Sequence, residues 1–493
     1  MSQFPHPIYS QTVLIPAYDD AQQHLFAHML ATHEAHAIML ARQQIITMQN
    51  AVAILNAVAQ IRATGVDALG YQPGVEDLFF RVESQIIEQV GADFGGNLQL
   101  ARSRNDLGQA LARMAIRQET LALCTDLLAL RQAVQTRAEA HIDTLMPGYT
   151  HTQPAQPVTF AHYLAGILTF LGKDQSRLAT AFKNVNESPL GAAAFTGSGF
   201  PIDRDMVARL LGFDDVIRST HHSIGAGDHL TDIAFAVQSI AVGLSRVTKD
   251  LIFFATQESG ALHIDDSFIQ LSSIMPQKRN PVVLEHLRAR LSRATGAAQT
   301  VTIQCHNIPY GDTQDIEDEI LPPLLLAMQT LHECLILYTA VFDTLTLNKE
   351  HLRSRAADGF TTATELADLL VREVGLPFRQ AHKIVAGMVQ NAVNANIAPA
   401  NLTLDRLQQS AQNVLGNPLE ISAEQFQRAL DPQNFVDVRA GVGGVSAQST
   451  SALLDRLSAK WQTDRVWMDE AQLGLEQAVE QRAQAVAKTL NKG

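Results

Sequence analysis

Three cysteines, Cys124, Cys305 and Cys334, are all that 493 residues contain, in no metal-ligand or redox spacing. That excludes a disulfide framework and a cysteine metal site, and leaves the thiols as small buried apolar groups in a reducing compartment. Positive charge is also in deficit. Against 50 acidic residues stand 37 Lys and Arg, a formal net charge of −13, which argues against a nucleic acid or anionic membrane partner because phosphate binding needs a basic face. No long charge-free apolar run occurs, and mean hydropathy is zero, so no membrane span is expected. The N-terminal MSQFPHPIYSQTVLIP lacks the basic region and apolar stretch of a signal peptide, and a cytoplasmic location is expected. Runs of alternating β-branched residues are almost missing, which excludes a large sheet.

What is present is helical periodicity. Ile233, Val237, Ile240, Leu244, Val247, Leu251 and Phe254 step by four and three residues, the seam of a long helix with a bundle partner. Leu121, Cys124 and Leu128, then Phe160, Leu164, Leu168 and Leu171, repeat the spacing in two more long segments without internal proline. The expected fold is all-α, in three regions: an N-terminal helical domain over 1–110, a central bundle over 111–358, and a C-terminal helical domain over 359–493. The chain is long enough for each to bury a core.

Turn-forming residues gather in loops between these helices, where chemistry on a rigid scaffold is usually found. Ala101 to Asp106 reads ARSRND and precedes a helix expected from about Leu107. A helix N-terminus with arginine forks and an asparagine suits a carboxylate, although capping by Asn105 or Asp106 accounts for the loop taken alone. MPGYTHTQPAQPVTF, Met146 to Phe160, holds Thr150, His151 and Gln153 in a proline-rich turn, and His151 can relay protons near neutrality. The loop Leu271 to Pro281 carries Ser272, Ser273, Lys278, Arg279 and Asn280 into a helix through Glu285, with Pro281 suited to the first helical position. Its positive helix end favours a substrate carboxylate or a seryl oxyanion.

Together with SPLGAAAFTGSGFPIDR, Ser188 to Arg204, and DGFTTATELADLLVREVGLPFRQAH, Asp358 to His382, these segments resemble in order and spacing the signatures of the argininosuccinate lyase family, within the fumarase and aspartase superfamily. The resemblance covers about residues 17–444. It implies an all-α homotetramer with a long-helix core, active sites each assembled from three subunits, and no cofactor. It implies a fumarate-releasing cleavage of a C–N bond in an N-substituted aspartate, a small-molecule substrate. Ser272 then matches the catalytic base, His151 the histidine of the acid region and Glu285 the carboxylate that orients it. Lys278, Asn280, Ser103, Arg104, Asn105 and Thr150 match carboxylate binders, and Asp19 belongs to the amino-acid pocket.

The departures from the family pattern gather on the side that holds arginine. Ile15 stands where a serine precedes Asp19; Glu-Asp-x-His reads Glu76, Asp77, Leu78, Phe79; Leu-His-Thr reads Leu98, Gln99, Leu100; and Asn-Pro-Asp reads Asn280, Pro281, Val282. Leu271 replaces a glycine, and Gln-Glu-Asp-Lys aligns with Ile316, Glu317, Asp318, Glu319. The substrate implied is therefore argininosuccinate or a related aminocarboxylate of the ethylenediaminedisuccinate type. Fumarase, aspartase or adenylosuccinate lyase activity fits less well, because PQKRNP and the C-terminal segment resemble argininosuccinate lyase. A non-enzymatic structural role is opposed by the intact Ser272, His151, Lys278 and Asn280.

Overall fold

In the computed structural model, Phe4 to Lys492 are described, the side chain of Glu317 excepted. Helices dominate. The N-terminal part comprises α1 (Ile15–His24), α2 (Phe26–Arg42), α3 (Met48–Thr64) and α4 (Leu78–Val90). The bundle follows as α5 (Arg104–Ala140), α6 (Phe160–Val185), α7 (Asp228–Phe254), α8 (Val282–Cys305) and α9 (Leu321–Thr344). After it come α10 (Ala363–Arg372), α11 (Phe378–Asn394), α12 (Leu404–Leu415), α13 (Ala423–Leu430) and the 44-residue α14 (Ala447–Leu490).

The largest apolar core lies along the bundle, where α5 packs on α6 and α9, α7 on α6 and α8, and α8 on α9. All seven residues of the α7 seam are buried in it, so the period read from sequence is the period of packing. A second core joins α2, α3 and α4 to the first turns of α5 through Leu107, Leu111 and Met114. A third is formed by α10 to α13. By length and composition α7 and α9 could cross a membrane, but each has about half of its apolar window inside the bundle.

Helix α14 ties two of these cores together. Its N-cap Ser446 accepts from Ser449 N–H, Trp461 Nε1–H donates to Leu128 O at 2.9 Å, and Ala485 enters the N-terminal core. Midway, Asp464 accepts from the buried Arg131 guanidinium at 2.7 Å.

Strands are few. The longest ladder is a hairpin of β1 (Leu145–Thr150) and β2 (Gln153–Thr159), antiparallel, with a break in register at Gly148 and Tyr149. The sequence reads this segment as a proline-rich turn, because Pro147, Pro154 and Pro157 cannot donate to a ladder and mask the strand pattern. Two helix starts also differ from expectation. Helix α5 begins at Arg104, three residues before Leu107, because Ser103 is its N-cap; α8 begins at Val282 with Pro281 as the cap.

Arg131 is 2% exposed, so its charge depends on Asp464. Removing one member of a buried pair strands the other, and Asp464→Ala is expected to lower unfolding stability by about 3–5 kcal/mol. Lys460, which also pairs with Asp464 but is largely exposed, should cost at most about 1 kcal/mol when changed to alanine. Denaturant midpoints compare the two, and equal losses would contradict this account.

Candidate active site

The first loop is fixed by one carboxylate. Ser103 Oγ accepts from Asn105 N–H at 3.1 Å, and Asp106 Oδ1 accepts from Ser103 N–H at 2.8 Å, closing a capping box on α5. The other oxygen, Oδ2, accepts from Gly191 N–H at 2.8 Å and Ala193 N–H at 3.1 Å, which binds the Ser188–Arg204 segment to the same point. Burial pushes the Asp106 carboxyl above its ordinary range, opposed by the hydrogen bonds from Ser103, Ala193 and Gly191. The segment it holds is strained: Ala193 and Ala194 have φ of 48° and 72°, where a Cβ is disfavoured. Sequence reading treats Asp106 only as a cap; its three-residue spacing after Ser103 was the available signal.

The two arginines of the loop have different surroundings. Arg102 is buried and donates to His33 Nδ1 at 3.1 Å and to Gln99 Oε1 at 3.2 and 3.0 Å; desolvation lowers it to about 10. Arg104 pairs with Glu76 at 3.2 Å and Asp77 at 2.8 Å. It lines a pocket with Tyr18, Glu76, Asp77, Gln109 and Asp318. Asp19 is exposed on α1 and is not in that lining, whereas its neighbour Tyr18 is. Burial raises both Asp77 and Asp318, and Arg104 lowers both. Sequence reading takes Glu76 and Asp77 as remnants of a lost motif; their pairing with Arg104 is visible only in space.

At the hairpin tip, His151 and Thr152 join Thr150 to Gln153 as a two-residue turn with φ of 52° and 62°. Such turns favour Asn-Gly, and a β-branched Thr in the left-handed region costs on the order of 1–3 kcal/mol. Thr150 and His151 are exposed. The hairpin leans on the end of α7, where the Tyr149 ring lies 5.3 Å from Phe253 and 6.0 Å from Phe254.

The third loop is closed by a second small ladder, β3 (Gln270–Leu271) with β4 (Arg279–Asn280). Inside it, Ser272 Oγ accepts from Met275 N–H at 3.1 Å and Ile274 N–H at 3.4 Å, and Lys278 N–H donates to Met275 O at 3.0 Å. Arg279 forms an ion pair with Asp266. Asn280 is half-buried, Lys278 is exposed, and Glu285 is exposed on the first turn of α8.

Within one chain these groups do not converge. The hairpin and the Ser272 loop lie at the end of the bundle where α7 stops and α8 starts. The Ser103–Arg104–Asn105 loop starts α5, 37 residues before the helix reaches the hairpin end. At 1.5 Å per residue that is about 55 Å. Among the described residues no hydrogen bond or ion pair joins Ser272, His151 and Glu285.

Residues 17–296 match a family model described as lyase, and 360–437 one described as argininosuccinate lyase C-terminal. The argininosuccinate lyase of Methanothermobacter thermautotrophicus is 34% identical over 442 residues, 90% of this chain and 94% of that protein. Argininosuccinate lyase 2 of Agrobacterium fabrum is 36% identical over 444 residues, 90% and 88%. A crystal structure of EDDS lyase in complex with formate superposes with a TM-score of 0.87 at 32% identity, covering 99% of this chain and 97% of that one. A class II fumarase from Schistosoma mansoni, 16% identical with a TM-score of 0.70 over 87% of this chain and 92% of that one, shares the fold.

The N-terminal core positions the first loop through neutral histidines. Leu100 O can only accept, so His36 donates Nε2–H to it at 2.9 Å. Burial, with Arg102 nearby, lowers His36 to about 3. An unfolded imidazole titrates near 6.5, so the unfolded chain takes up the proton first. The contribution is whole above pH 6.5 and is lost as pH falls toward 3. Urea midpoints should therefore drop on acidification below pH 6.5. His36→Gln, which keeps an N–H for Leu100 O, should flatten that slope by up to about 1.4 kcal/mol per pH unit; an unchanged slope would show that His36 titrates normally.

Proposed function

The chain belongs to the argininosuccinate lyase family, and from that premise we propose that it releases fumarate from an N-substituted aspartate with Ser272 as the base. It is a carbon–nitrogen lyase of the fumarase and aspartase superfamily, acting by elimination on a small molecule. The observation that carries the mechanistic reading is the pair of N–H groups, from Ile274 and Met275, aimed at Ser272 Oγ in a loop that opens a helix and carries Lys278. These donors stabilise an oxyanion on Oγ, the form a serine needs to act as a base.

The seryl oxyanion takes the proton from the carbon β to the leaving nitrogen. The electron pair first loads the adjacent carboxylate as a doubly charged aci-form, held by Lys278, Asn280 and the donors of Ser103, Arg104, Asn105 and Thr150. It then forms the C=C bond as the C–N bond breaks. The nitrogen leaves with its bonding pair and receives a proton from His151 or a water, with Glu285 orienting His151. Fumarate and an amine result, without an oxidant.

Because the first loop and the Ser272 loop sit at opposite ends of the bundle in one chain, a complete site needs several chains. Exposed Phe235, Val242 and Phe253 on α7, Ile303 on α8 and Ile336 on α9 supply apolar faces for that assembly, and a homotetramer with shared sites is the assembly we propose. The family resemblance offers two amine halves to compare first, that of argininosuccinate and that of an aminocarboxylate of the ethylenediaminedisuccinate type, and fumarate absorbance measured with both substrates separates them.

Ser272→Ala should lower kcat by at least about 10²-fold, the range of a lost general base, with the mass by light scattering unchanged. Wild-type turnover would remove Ser272 from the role. Lys278→Ala should raise KM and lower kcat together, since its charge is needed most once the second negative charge develops. Ordinary kinetics would locate the anion site elsewhere.

A further inference from the structure

The pocket beside Arg104 is rich in acceptors. Glu76, Asp77 and Asp318 line it, three carboxylates against the single guanidinium of Arg104, which already pairs with Glu76 and Asp77. Gln109, 4% exposed, lines the same pocket, and its side-chain oxygen has no hydrogen-bond partner among the described residues. A buried amide oxygen without a donor is costly unless a ligand supplies one. The Tyr18 hydroxyl is not available as that donor, because it is bound to Leu69 O. The rest of the wall is mostly apolar, with Leu14, Leu107 and Ile316 beside Gln314 and Tyr9.

Such a lining selects by charge and by hydrogen-bond polarity. A ligand that fills it brings N–H donors, positive charge and a short hydrocarbon spacer. A terminal carboxylate there would face three like charges. The pocket adjoins the start of α5 through Arg104, Leu107 and Gly108.

We propose that the pocket formed by Glu76, Asp77, Asp318 and Gln109 takes the distal ammonium group of the substrate's amine half, so that the substrate is an aspartate N-linked to a diamine with no carboxylate at its far end. This rests on the fumarate-eliminating reading alone, replaces the two carboxylate-bearing amine halves that the family resemblance offers, and makes the products fumarate and a free diamine. The bond broken is still the C–N bond, and the proton removed from carbon is balanced by the one delivered to nitrogen.

The test is calorimetric titration of the full-length enzyme, saturated with fumarate, using 1,4-diaminobutane, n-butylamine and arginine, with loss of fumarate absorbance followed in parallel. The diamine should bind at least tenfold more tightly than either of the others. Asp318→Asn and Glu76→Gln should each reduce that preference at least threefold, and the partly exposed Glu76 gives a variant with little risk to folding. Equal or tighter binding of butylamine or arginine overturns the proposal, as does an unchanged preference in both variants. The parallel readout separates the two claims. Diamine preference without fumarate consumption supports the pocket and removes the elimination reading, whereas consumption without preference overturns the pocket alone.

Discussion

The Asp106 carboxylate accepts three backbone N–H groups, and the geometry around the start of the longest bundle helix follows from where those amides must be. One oxygen caps α5; the other holds a segment 85 residues away, whose alanines sit in a backbone region they do not favour. A buried carboxylate is expensive, and hydrogen bonds to a charged group, worth on the order of 1.5–3 kcal/mol each, offset that cost only when several are made together. Arg102 adds a nearby positive charge and is itself held by His33 and Gln99. The N-terminal core, the first loop and the Ser188–Arg204 segment are therefore one electrostatic unit. Its polarity is set by keeping the histidines neutral: His33 can receive the Arg102 N–H only on an unprotonated nitrogen.

Helix length imposes the second constraint. A straight bundle of helices 24 to 37 residues long keeps its loops at two ends, and no side chain spans that distance. Rigid helices position loop residues accurately, but they prevent a single chain from gathering them. The assembly of several chains proposed above would resolve this, and the exposed Phe235, Val242 and Phe253 on α7, Ile303 on α8 and Ile336 on α9 are apolar side chains that it would cover. The apolar character that lets α7 and α9 pass for membrane spans comes largely from the residues each buries in the bundle core, about half of its apolar window.

How much of this was legible in the sequence depends on whether the information was periodic, local or spatial. The α7 seam was periodic, and each of its seven residues is buried as read. The start of α5 was local but ambiguous: Asn105 and Asp106 read as the caps, whereas Ser103 takes the cap position and Asp106 completes the box while holding Gly191 and Ala193. The hairpin was hidden by its prolines, which remove the donors on which strand recognition relies. Glu76 and Asp77 were legible as the part of a family motif that remains where Phe79 replaces its histidine, but not as the partners of Arg104, since 28 residues of chain separate Glu76 from it. The separation of the loops at two bundle ends was implicit in helix length, yet it becomes an argument for shared sites only when the hairpin is seen against the end of α7.

The loop of the proposed base shows why chemistry and closure belong together. Ser272 lies among exposed Leu271 and Ile274, 66% and 83% accessible, an arrangement that solvent does not favour. Two amides already point at Oγ, but in water their effect on a hydroxyl is small because water competes for the same oxygen. Covering Leu271 and Ile274 would remove that competitor and strengthen the two hydrogen bonds, as well as the attraction of Lys278 and the α8 helix end for negative charge. The hydrophobic residues at the tip would then supply the driving force for closure, and the closed loop the low-dielectric surroundings in which a serine becomes basic enough to deprotonate carbon.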